Sequence, residues 1–433
     1  MFVLFKSLVV NILIDIVLIK SADFESITTP FILPLMLFSM MMKFKEDGIG
    51  VSDLLKLIPD DLLLDLAAET KVDYQVKKLY GRNVFNLLLF GLLDGERVGL
   101  RSLEDFYNSR KFKALFKLPG TLPNAKYNSF SARLATMKVS YFEKAYEAIY
   151  EQCSLLYDES TLSSRYKITR VDSTMVCQTA VQLEQGIRVG VKKDGKKQVK
   201  YTISLTDLFP SSVEVFTQQK YICESLTIPK VIFKVMDKSK DNVFVFDRGV
   251  SSREVFCELD DNDCSFVTRL QVYARHVVLD DISVPQDLVV GNLTVLKDQQ
   301  IYLYQSGHQI VEHPFRLIQT QNQKGTKFWF LTNRFDLSCE EIILIYKKRW
   351  DIEVFFRFIK QELNFSHLIS VNENGIKILL YMTLILAILI LIYKKINDFG
   401  YKTAKRRFAM ELEYIIDDYM IQKSGGDPNT FFW

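Results

Sequence analysis

The sequence predicts a mixed α/β protein, in which helices precede an α/β core and a β-rich subdomain is inserted late in that core. Three observations indicate this order. Helix-like spacing of apolar residues dominates as far as about residue 160, strand-like alternation begins near Tyr166, and helical spacing returns from about Cys339. Helices, then strands, then helices again are typical of an α/β core that carries an all-β insertion.

The composition is that of a globular protein with ample material for a core. At 433 residues the chain is long enough for two or three packed units, and 48% of its residues are hydrophobic and 25% charged. The net charge is only +3, so a nucleic-acid partner has to be inferred from local features. The six cysteines are scattered and form no Cys-x-x-Cys pair, which argues against a zinc site or a disulfide framework and favours a reducing cytoplasm.

Two apolar stretches could be confused with membrane segments. The leader at 1–44 is interrupted by polar residues, and it fits a secretory signal, a misassigned start codon or a loosely packed extension. The run from Ile378 to Tyr393 is almost wholly apolar and close to the length of a membrane span. A helix buried on all sides in a large core has the same composition, and we expect the run to form such a buried helix.

The region at 45–160 is predicted to be helical and to bind DNA. Leucines at helical spacing flank Pro59, which predicts two helices separated at that residue, and further helices are expected at 84–93 and 140–150. Between 111 and 133, lysines and arginines alternate with phenylalanines and tyrosines. Such interleaving suits a nucleic-acid surface. A solvated loop beside ordinary core aromatics explains it equally well, so both interpretations stay open.

Strands are predicted from 167 onwards. Residues 167–172, 199–205 and 213–216 form the first three, and Val243–Phe246 is continuous and apolar, as expected for a central strand buried on both faces. The predicted domains follow from this order. They are the first part of the core at 161–270, the inserted β subdomain at 271–337, the second part of the core at 338–400 and a C-terminal tail at 401–433.

Two aspartates lie at predicted strand ends. Asp172 is followed by Ser-Thr, and Asp247 by Arg-Gly. A carboxylate at the end of a buried strand is held rigidly and open to solvent, which suits a hard, oxygen-bound metal ion. Aspartate also ends strands as a turn former or helix cap, so each motif alone is weak.

The helix predicted from 339 to 363 carries a narrow polar stripe. At roughly 100° per residue, Tyr346, Arg349, Glu353 and Lys360 fall within an arc of about 60°, and apolar side chains fill most of the remaining circumference. Buried charges need partners or a metal ion, which predicts that the stripe lines a cleft. An internal ladder of salt bridges is the alternative.

The spacing Tyr346-x2-Arg349-x3-Glu353-x6-Lys360 resembles the signature of the insertion sequence 4 family of transposases without a gap. Asp172 and Asp247 fall in the order of that family's two aspartates, and the β-rich insertion before Glu353 has the family's position. The resemblance covers roughly residues 160–400 and implies an RNase H-like catalytic core. The leader before about residue 45 departs from the family pattern.

The resemblance also implies site roles. Asp172, Asp247 and Glu353 would hold two Mg²⁺ ions, for which Mn²⁺ is expected to substitute. Arg349 and Lys360 would bind backbone phosphates, and Tyr346 would donate a hydrogen bond to a terminal phosphate. Arg248, beside the second aspartate, is a further expected DNA contact. Of the adjacent aromatics Trp329 and Phe328, one would stack on a base flipped out of the duplex.

The function that these features predict is DNA transposition. We expect a DDE-type transposase that binds double-stranded DNA, both terminal inverted repeats and target, as a homodimer in the bacterial cytoplasm without a membrane partner. A host nuclease with an RNase H-like core and an inactivated relative that only binds DNA are the alternatives. The polar stripe and the late insertion disfavour the nuclease, and the presence of all three carboxylates gives no support to inactivation.

Overall fold

A central mixed sheet organises the protein in the computed structural model. It describes residues 48–94, 98–116, 118, 123–156, 166–177, 183, 185–189, 197–236, 241–305 and 309–430. The apolar leader expected at 1–44 lies outside these residues.

Seven helices come first within the described part of the chain, and the predicted helical character of this region is confirmed. They are α1 (Val51–Leu55), α2 (Asp60–Thr70), α3 (Gly81–Asp94), α4 (Leu100–Asn108), α5 (Arg110–Leu115), α6 (Tyr127–Thr136) and α7 (Val139–Leu156). Pro59 precedes the first residue of α2, where its missing N–H costs no helical hydrogen bond. The break predicted at this proline is therefore correct.

Much of the basic and aromatic stretch at 111–133 belongs to the helical core. Phe112 and Phe130 are almost fully buried. The Arg133 guanidinium donates hydrogen bonds to the carbonyl oxygens of Leu79, at 2.9 Å, and Val72, at 2.7 Å. These three side chains therefore act in packing, and the ordinary core explanation applies to them.

The sheet has eleven strands in the order β2-β3-β1-β5-β6-β11-β10-β9-β7, with β4 paired to β3 and β8 to β9. Among the strand pairs that the structure describes, only the central β1–β5 and β5–β6 pairs are parallel. The strands are β1 (Lys167–Cys177), β2 (Ile187–Arg188), β3 (Lys197–Thr206), β4 (Phe209–Phe216), β5 (Asn242–Phe246), β6 (Ser265–Leu270), β7 (His276–Asp281), β8 (Val289–Val290), β9 (Leu293–Tyr304), β10 (Ile310–Asn322) and β11 (Lys327–Thr332).

The fourth predicted strand agrees with the structure, whereas the first extends beyond its predicted end. All five residues of β5 are buried, as predicted, and Asp247 follows its last residue. Asp172 lies in the middle of β1 and not at its end, because β1 continues to Cys177 as the antiparallel partner of β3. Pairing with a distant strand extends β1, and the local sequence pattern does not contain that information.

The strands of the expected insertion at 271–337 extend the same sheet. β11 pairs with β6 over Trp329–Leu270 to Thr332–Val267, and β10, β9 and β7 follow outward from it. The late β-rich segment is present as predicted, but its hydrogen bonding joins it to the core. It is therefore an extension of the central sheet and not a subdomain with a sheet of its own.

The remaining helices cover and flank the sheet. They are α8 (Ile228–Val235), α9 (Arg253–Asp261), α10 (Cys339–Lys347), α11 (Trp350–Glu362), α12 (Glu373–Ile396) and α13 (Tyr401–Lys423). The single helix predicted at 339–363 is in fact two, α10 and α11, separated by a turn at Lys348 and Arg349. There the Arg349 N–H bonds to the Tyr346 carbonyl oxygen at 3.0 Å, three residues back and not four.

Helix α12 lies at the centre of the packing. Its residues from Ile378 to Tyr393 are all buried, against α7, α13, α3, α6 and the strand β4. The buried helix expected for this run is thus observed. Within the described part of the chain, α12 alone is long and apolar enough to cross a membrane, and 94% of its most apolar window is buried inside the protein.

The packing is continuous across residues 160 and 400. Residues Gly50–Trp433 form one compact unit, because α12 contacts both the preceding helices and the sheet. The segment predicted as a C-terminal tail contains α13, which buries Ala404, Phe408, Leu412 and Ile416 along one face. That spacing of four residues is a helical signal present in the sequence.

Candidate active site

Asp172 and Asp247 lie side by side at one edge of the parallel part of the sheet. The last aligned pair of β1 and β5 is Arg170 with Val245, and each aspartate lies two residues beyond it. Parallel neighbours in register bring such residues to the same level. The sheet thus places together two carboxylates that are 75 positions apart in the sequence.

Arg349 connects the first aspartate to the glutamate. Its guanidinium lies 3.7 Å from Asp172 Oδ2 and 2.7 Å from Glu353 Oε1. The Arg349 side chain is only 12% exposed, and its Nε has no hydrogen-bond partner among the described residues. Because Arg349 comes from the turn between α10 and α11, that turn brings Glu353 towards the sheet edge.

Tyr346 connects the same segment to the second aspartate. Its hydroxyl donates to Asp247 Oδ1 at 3.3 Å, and its ring packs edge-on against Phe330 at 5.2 Å between ring centroids. The Asp247 carboxylate also accepts the backbone N–H of Arg248 at 2.7 Å. Burial raises the pKa of Tyr346, so the hydroxyl keeps its proton and can serve as a donor.

Asp172 has the most perturbed carboxyl in the site. Burial raises its pKa to about 7, and the negative charges of Glu224 and Asp247 act in the same direction. The Ser173 backbone N–H, which donates to Asp172 Oδ1 at 2.7 Å, and the Arg349 guanidinium oppose the rise. A cluster of like charges with too few positive partners is typical of a functional site.

The two remaining basic residues predicted for DNA binding, Lys360 and Arg248, differ in their exposure to solvent. Lys360 Nζ donates to the Met175 carbonyl oxygen of β1 at 3.3 Å, and burial lowers the pKa of Lys360. Arg248 is exposed beside Asp247. Lys360 is thus half-buried against β1, the strand that carries Asp172. Arg248 is open to solvent and adjacent to Asp247 in the sequence.

The two candidate stacking aromatics point to opposite faces of the sheet. Trp329 is 7% exposed, and its ring lies 5.4 Å from that of His276 and 6.3 Å from that of the exposed Tyr273, measured between ring centroids. Phe328 belongs to the face that includes Tyr346, and the Arg269 guanidinium lies 4.9 Å from its ring centroid. Strand alternation allows one of the pair to face the site, and this one is Phe328.

Three residues near the site were not identified from the sequence: Glu224, Lys200 and Arg269. Glu224 follows β4 in a short 3-10 helix, Glu224–Leu226, and its charge interacts with those of Asp247 and Arg349. Lys200 is 2% exposed on β3 and donates to the Ile222 carbonyl oxygen at 3.1 Å. No local pattern in the sequence marks Glu224 or Lys200, since only the pairing of β3 with β1 and β4 brings these two residues to the site.

The donor set suits a hard divalent cation in its chemistry. All the acidic groups at this edge are carboxylates, which Mg²⁺ prefers. A Cβ at Gly249 would lie 1.6 Å from Glu224 Oε2, so the turn after Asp247 leaves room for another carboxylate. Among the described residues, however, no three acidic, histidine or cysteine side chains are close enough to hold one metal ion. Arg349 occupies the position between Asp172 and Glu353.

Comparison with known families is consistent with this geometry. Residues 228–390 match the family described as the transposase DDE domain. The matched segment contains Asp247, Glu353 and the stripe from Tyr346 to Lys360, whereas Asp172 lies before it. This match supports the predicted DDE-type transposase.

Two curated relatives named as transposases are similar to shorter segments of this chain. Transposase y4zB of Sinorhizobium fredii is 30% identical over 104 residues, which cover 24% of this chain and 29% of that protein. The transposase for insertion sequence element IS4SA of Synechocystis sp. is 51% identical over 55 residues, which cover 13% of this chain and 16% of that protein. The matches thus span less than a third of either relative's own length.

One solved structure is similar over most of the chain. It is a cryo-EM structure of a piggyBac transposase synaptic complex with hairpin DNA, covering 89% of this chain and 81% of that chain. The sequence identity is 11% and the TM-score 0.44, values that do not establish a common fold.

Proposed function

We propose that this chain is an insertion-sequence transposase of the insertion sequence 4 family, which cleaves and joins DNA strands at the ends of its element. The observation that carries the proposal is the bridge of Arg349 between Asp172 and Glu353, beside Asp247 and Tyr346. These contacts support the predicted site, and residues 228–390 match the transposase DDE domain. We also propose an RNase H-like core, action as a homodimer and a cytoplasmic location.

The proposed metal centre would use Asp172, Asp247 and Glu353. Two Mg²⁺ ions, or Mn²⁺ in their place, would supply activation of the attacking oxygen and stabilisation of the leaving oxygen at the scissile phosphate. Asp172 lies on β1, Asp247 directly after β5 and Glu353 on α11, so three separate elements would supply the ligands. The raised pKa of Asp172 is consistent with a site where added positive charge is favourable.

The basic and aromatic side chains of the site suit double-stranded DNA. Arg349 has a fork of N–H donors that can move from carboxylate to phosphate oxygen, because both acceptors fit the same geometry. Lys360 supplies a positive charge on α11, C-terminal to Glu353, and Arg248 is exposed beside Asp247. Phe328 offers a ring on the same face, where a flipped base could stack.

Strand cleavage by the purified full-length protein tests the proposal. DNA carrying the element's own ends is incubated with Mg²⁺ and with wild type or Glu353→Gln, and nicks are resolved on denaturing gels. Loss of one metal-holding carboxylate removes several kcal/mol of transition-state stabilisation, so the rate should fall at least about a hundredfold. Glu258→Gln, which changes an exposed acid on α9, serves as the matched control and should cleave like wild type.

The outcomes separate the candidate functions. Cleavage by Glu353→Gln at the wild-type rate would show that the catalytic assignment is wrong. Specific binding of the ends without cleavage by any variant would favour an inactivated DNA-binding relative. Equal cutting of unrelated duplexes, without joining, would favour a nuclease.

A further inference from the structure

The start of α13 concentrates positive charge. From Lys394 to Arg407 the sequence holds six basic residues and one acidic residue, an excess of five positive charges against a net +3 for the whole chain. The acidic residues of α13 all lie in its second half, from Glu411 onwards. Positive side chains at the positive, N-terminal end of a helix dipole are electrostatically unfavourable. The stability of the helix therefore does not explain this distribution of charge.

Three of these basic residues form one wall of a surface groove. Lys402, Lys405 and Arg406 line a groove of about 570 Å³, whose opposite wall includes Gln361 and Glu362 at the end of α11. Their spacing of three and four residues puts the three side chains on one face of α13. We call these three residues the basic wall.

The basic wall lacks counter-charges. In the part of the chain that the structure describes, none of its three side chains donates a hydrogen bond or forms an ion pair within 4.0 Å. Glu362 and Glu413 also line the groove, but neither carboxylate lies within that distance of the three cations. By contrast, Lys377 of α12 pairs with Glu373 at 2.7 Å. The charges of the basic wall are thus available to an external anion.

A row of side chains on α11 leads from the candidate active site to the groove. Glu353, Arg357 and Gln361 follow at intervals of four residues, so each neighbours the next on the helix surface. Arg357 and Gln361 are both exposed. Glu353 and Gln361 are eight residues apart, or about 12 Å along the helix axis. Successive phosphates of one duplex strand are about 3.4 Å apart along the axis, so this distance corresponds to about four base pairs.

We propose that the basic wall binds backbone phosphates of duplex DNA beside the active site, with Arg357 as a fourth cation between the two. This inference rests on the proposed function, because it assumes that DNA lies over Glu353. Duplex DNA is the occupant because its regularly spaced phosphates complement the unpaired cations, and because the row on α11 connects them to the site of cleavage. Contacts of this kind position the duplex and carry no sequence information.

Binding of the full-length protein to a fluorescein-labelled duplex of arbitrary sequence tests the proposal, with fluorescence anisotropy measured over a range of KCl concentrations. The triple variant Lys402→Gln, Lys405→Gln, Arg406→Gln should raise the dissociation constant at low salt about tenfold or more. The slope of log affinity against log salt concentration should become shallower by about 2–3, since each lost phosphate contact removes about 0.9.

Two matched variants serve as controls. The first removes the same net charge by changing three exposed lysines elsewhere to glutamine, and its slope should differ from wild type by less than about 1: Lys297, Lys324 and Lys423. The second keeps the charge of the basic wall, through Lys402→Arg with Lys405→Arg, and should bind like wild type.

The outcomes separate this proposal from the proposed function. A basic-wall variant with wild-type slope and affinity would overturn the proposal and leave the proposed function standing, since the duplex still binds. Equal weakening by the first control would reveal a general charge effect and would also overturn it. Displacement of the duplex by phosphatidylserine vesicles at equal phosphate concentration would assign the surface to a membrane instead. If wild type binds no duplex, the proposed function fails too. Should the triple variant fold poorly, Arg406→Gln alone still decides, with an expected change of about 0.9 in the slope.

Discussion

At the scale of single residues, the carboxyl of Asp172 carries a clear prediction. Its pKa of about 7 exceeds the ordinary 3.8 because of burial, so the folded protein binds this proton more tightly than the unfolded chain. Between these two values, stability therefore falls as the pH rises, and the full penalty is present above about pH 7. The difference corresponds to at most about 4 kcal/mol.

Asp172→Asn removes this penalty. In the presence of a chelator, the variant should be more stable than wild type at about pH 8, and the advantage should shrink as the pH falls to about 5. Urea unfolding at several pH values, followed by circular dichroism, measures both free energies. Glu258→Gln is the control, and its free energy of unfolding should depend on pH as that of wild type does. A constant difference between Asp172→Asn and wild type across this range would contradict the assignment.

The sequence predicted some site residues because their relation is local. Tyr346, Arg349 and Glu353 are separated by three and four positions, so helical spacing alone places them on one side, and a tight turn at Arg349 does not undo this. Glu224 could not be predicted in the same way. It lies in a short 3-10 helix with no periodicity, and it reaches Gly249 only through the folding of the sheet.

At the scale of elements, a buried ion pair fixes the start of α10. Asp298 of β9 accepts three hydrogen bonds from Arg316 of β10, at 2.9, 3.2 and 2.6 Å, and a fourth from Cys339 Sγ at 2.8 Å. Arg316 also donates to the Leu337 carbonyl oxygen, just before the helix. The extended part of the sheet thereby holds the segment that leads to Tyr346 and Arg349.

Breaking this pair should destabilise the protein. Asp298→Asn leaves the Arg316 guanidinium, 4% exposed, without its counter-charge, and we expect a loss of about 3–5 kcal/mol in the free energy of unfolding. Urea unfolding measures it. Asp280→Asn, an exposed acid on β7, is the matched control and should change little. A loss under about 1 kcal/mol for Asp298→Asn would mean that water or another group compensates the charge.

The pairing of elements explains which of them the sequence could predict. β5 is a continuous apolar run, and its buried central position follows from that composition alone. The extension of β1 beyond Asp172 and the union of β6 with β11 depend on partners that are distant in the sequence. Local patterns detect a strand but not its partner, which is why an insertion was expected where the sheet is continuous.

At the scale of the whole molecule, α12 explains why no domain boundary lies near residue 160. The helix contacts α7, α3 and α6 on the N-terminal side and β4 of the sheet, and it is buried against all of them. Its composition predicted burial, but composition does not reveal which elements provide the surrounding surface. Because the helical region and the sheet both pack against α12, residues from 50 to 433 form one compact unit.

A shared central helix predicts cooperative unfolding. Leu386, fully buried in α12, should cost about 2–5 kcal/mol when changed to alanine, through lost apolar contacts and the cavity left behind. Circular dichroism at helical wavelengths weights the helices. Tryptophan fluorescence, measured with Trp433 replaced by phenylalanine in every variant, reports on Trp329 in β11 and Trp350 in α11. If one core joins these regions, both signals should shift together to lower urea in Leu386→Ala.

The matched control is Leu64→Ala on α2, where the side chain is 50% exposed and truncation should change the midpoint little. Separate transitions for the two signals, with only the circular dichroism moved by Leu386→Ala, would indicate that the N-terminal helices unfold independently of the sheet. That result would restore the boundary expected from the sequence. Coincident transitions would instead mean that any change in the helical region also affects the stability of the sheet edge carrying Asp172 and Asp247, since one folding equilibrium governs both.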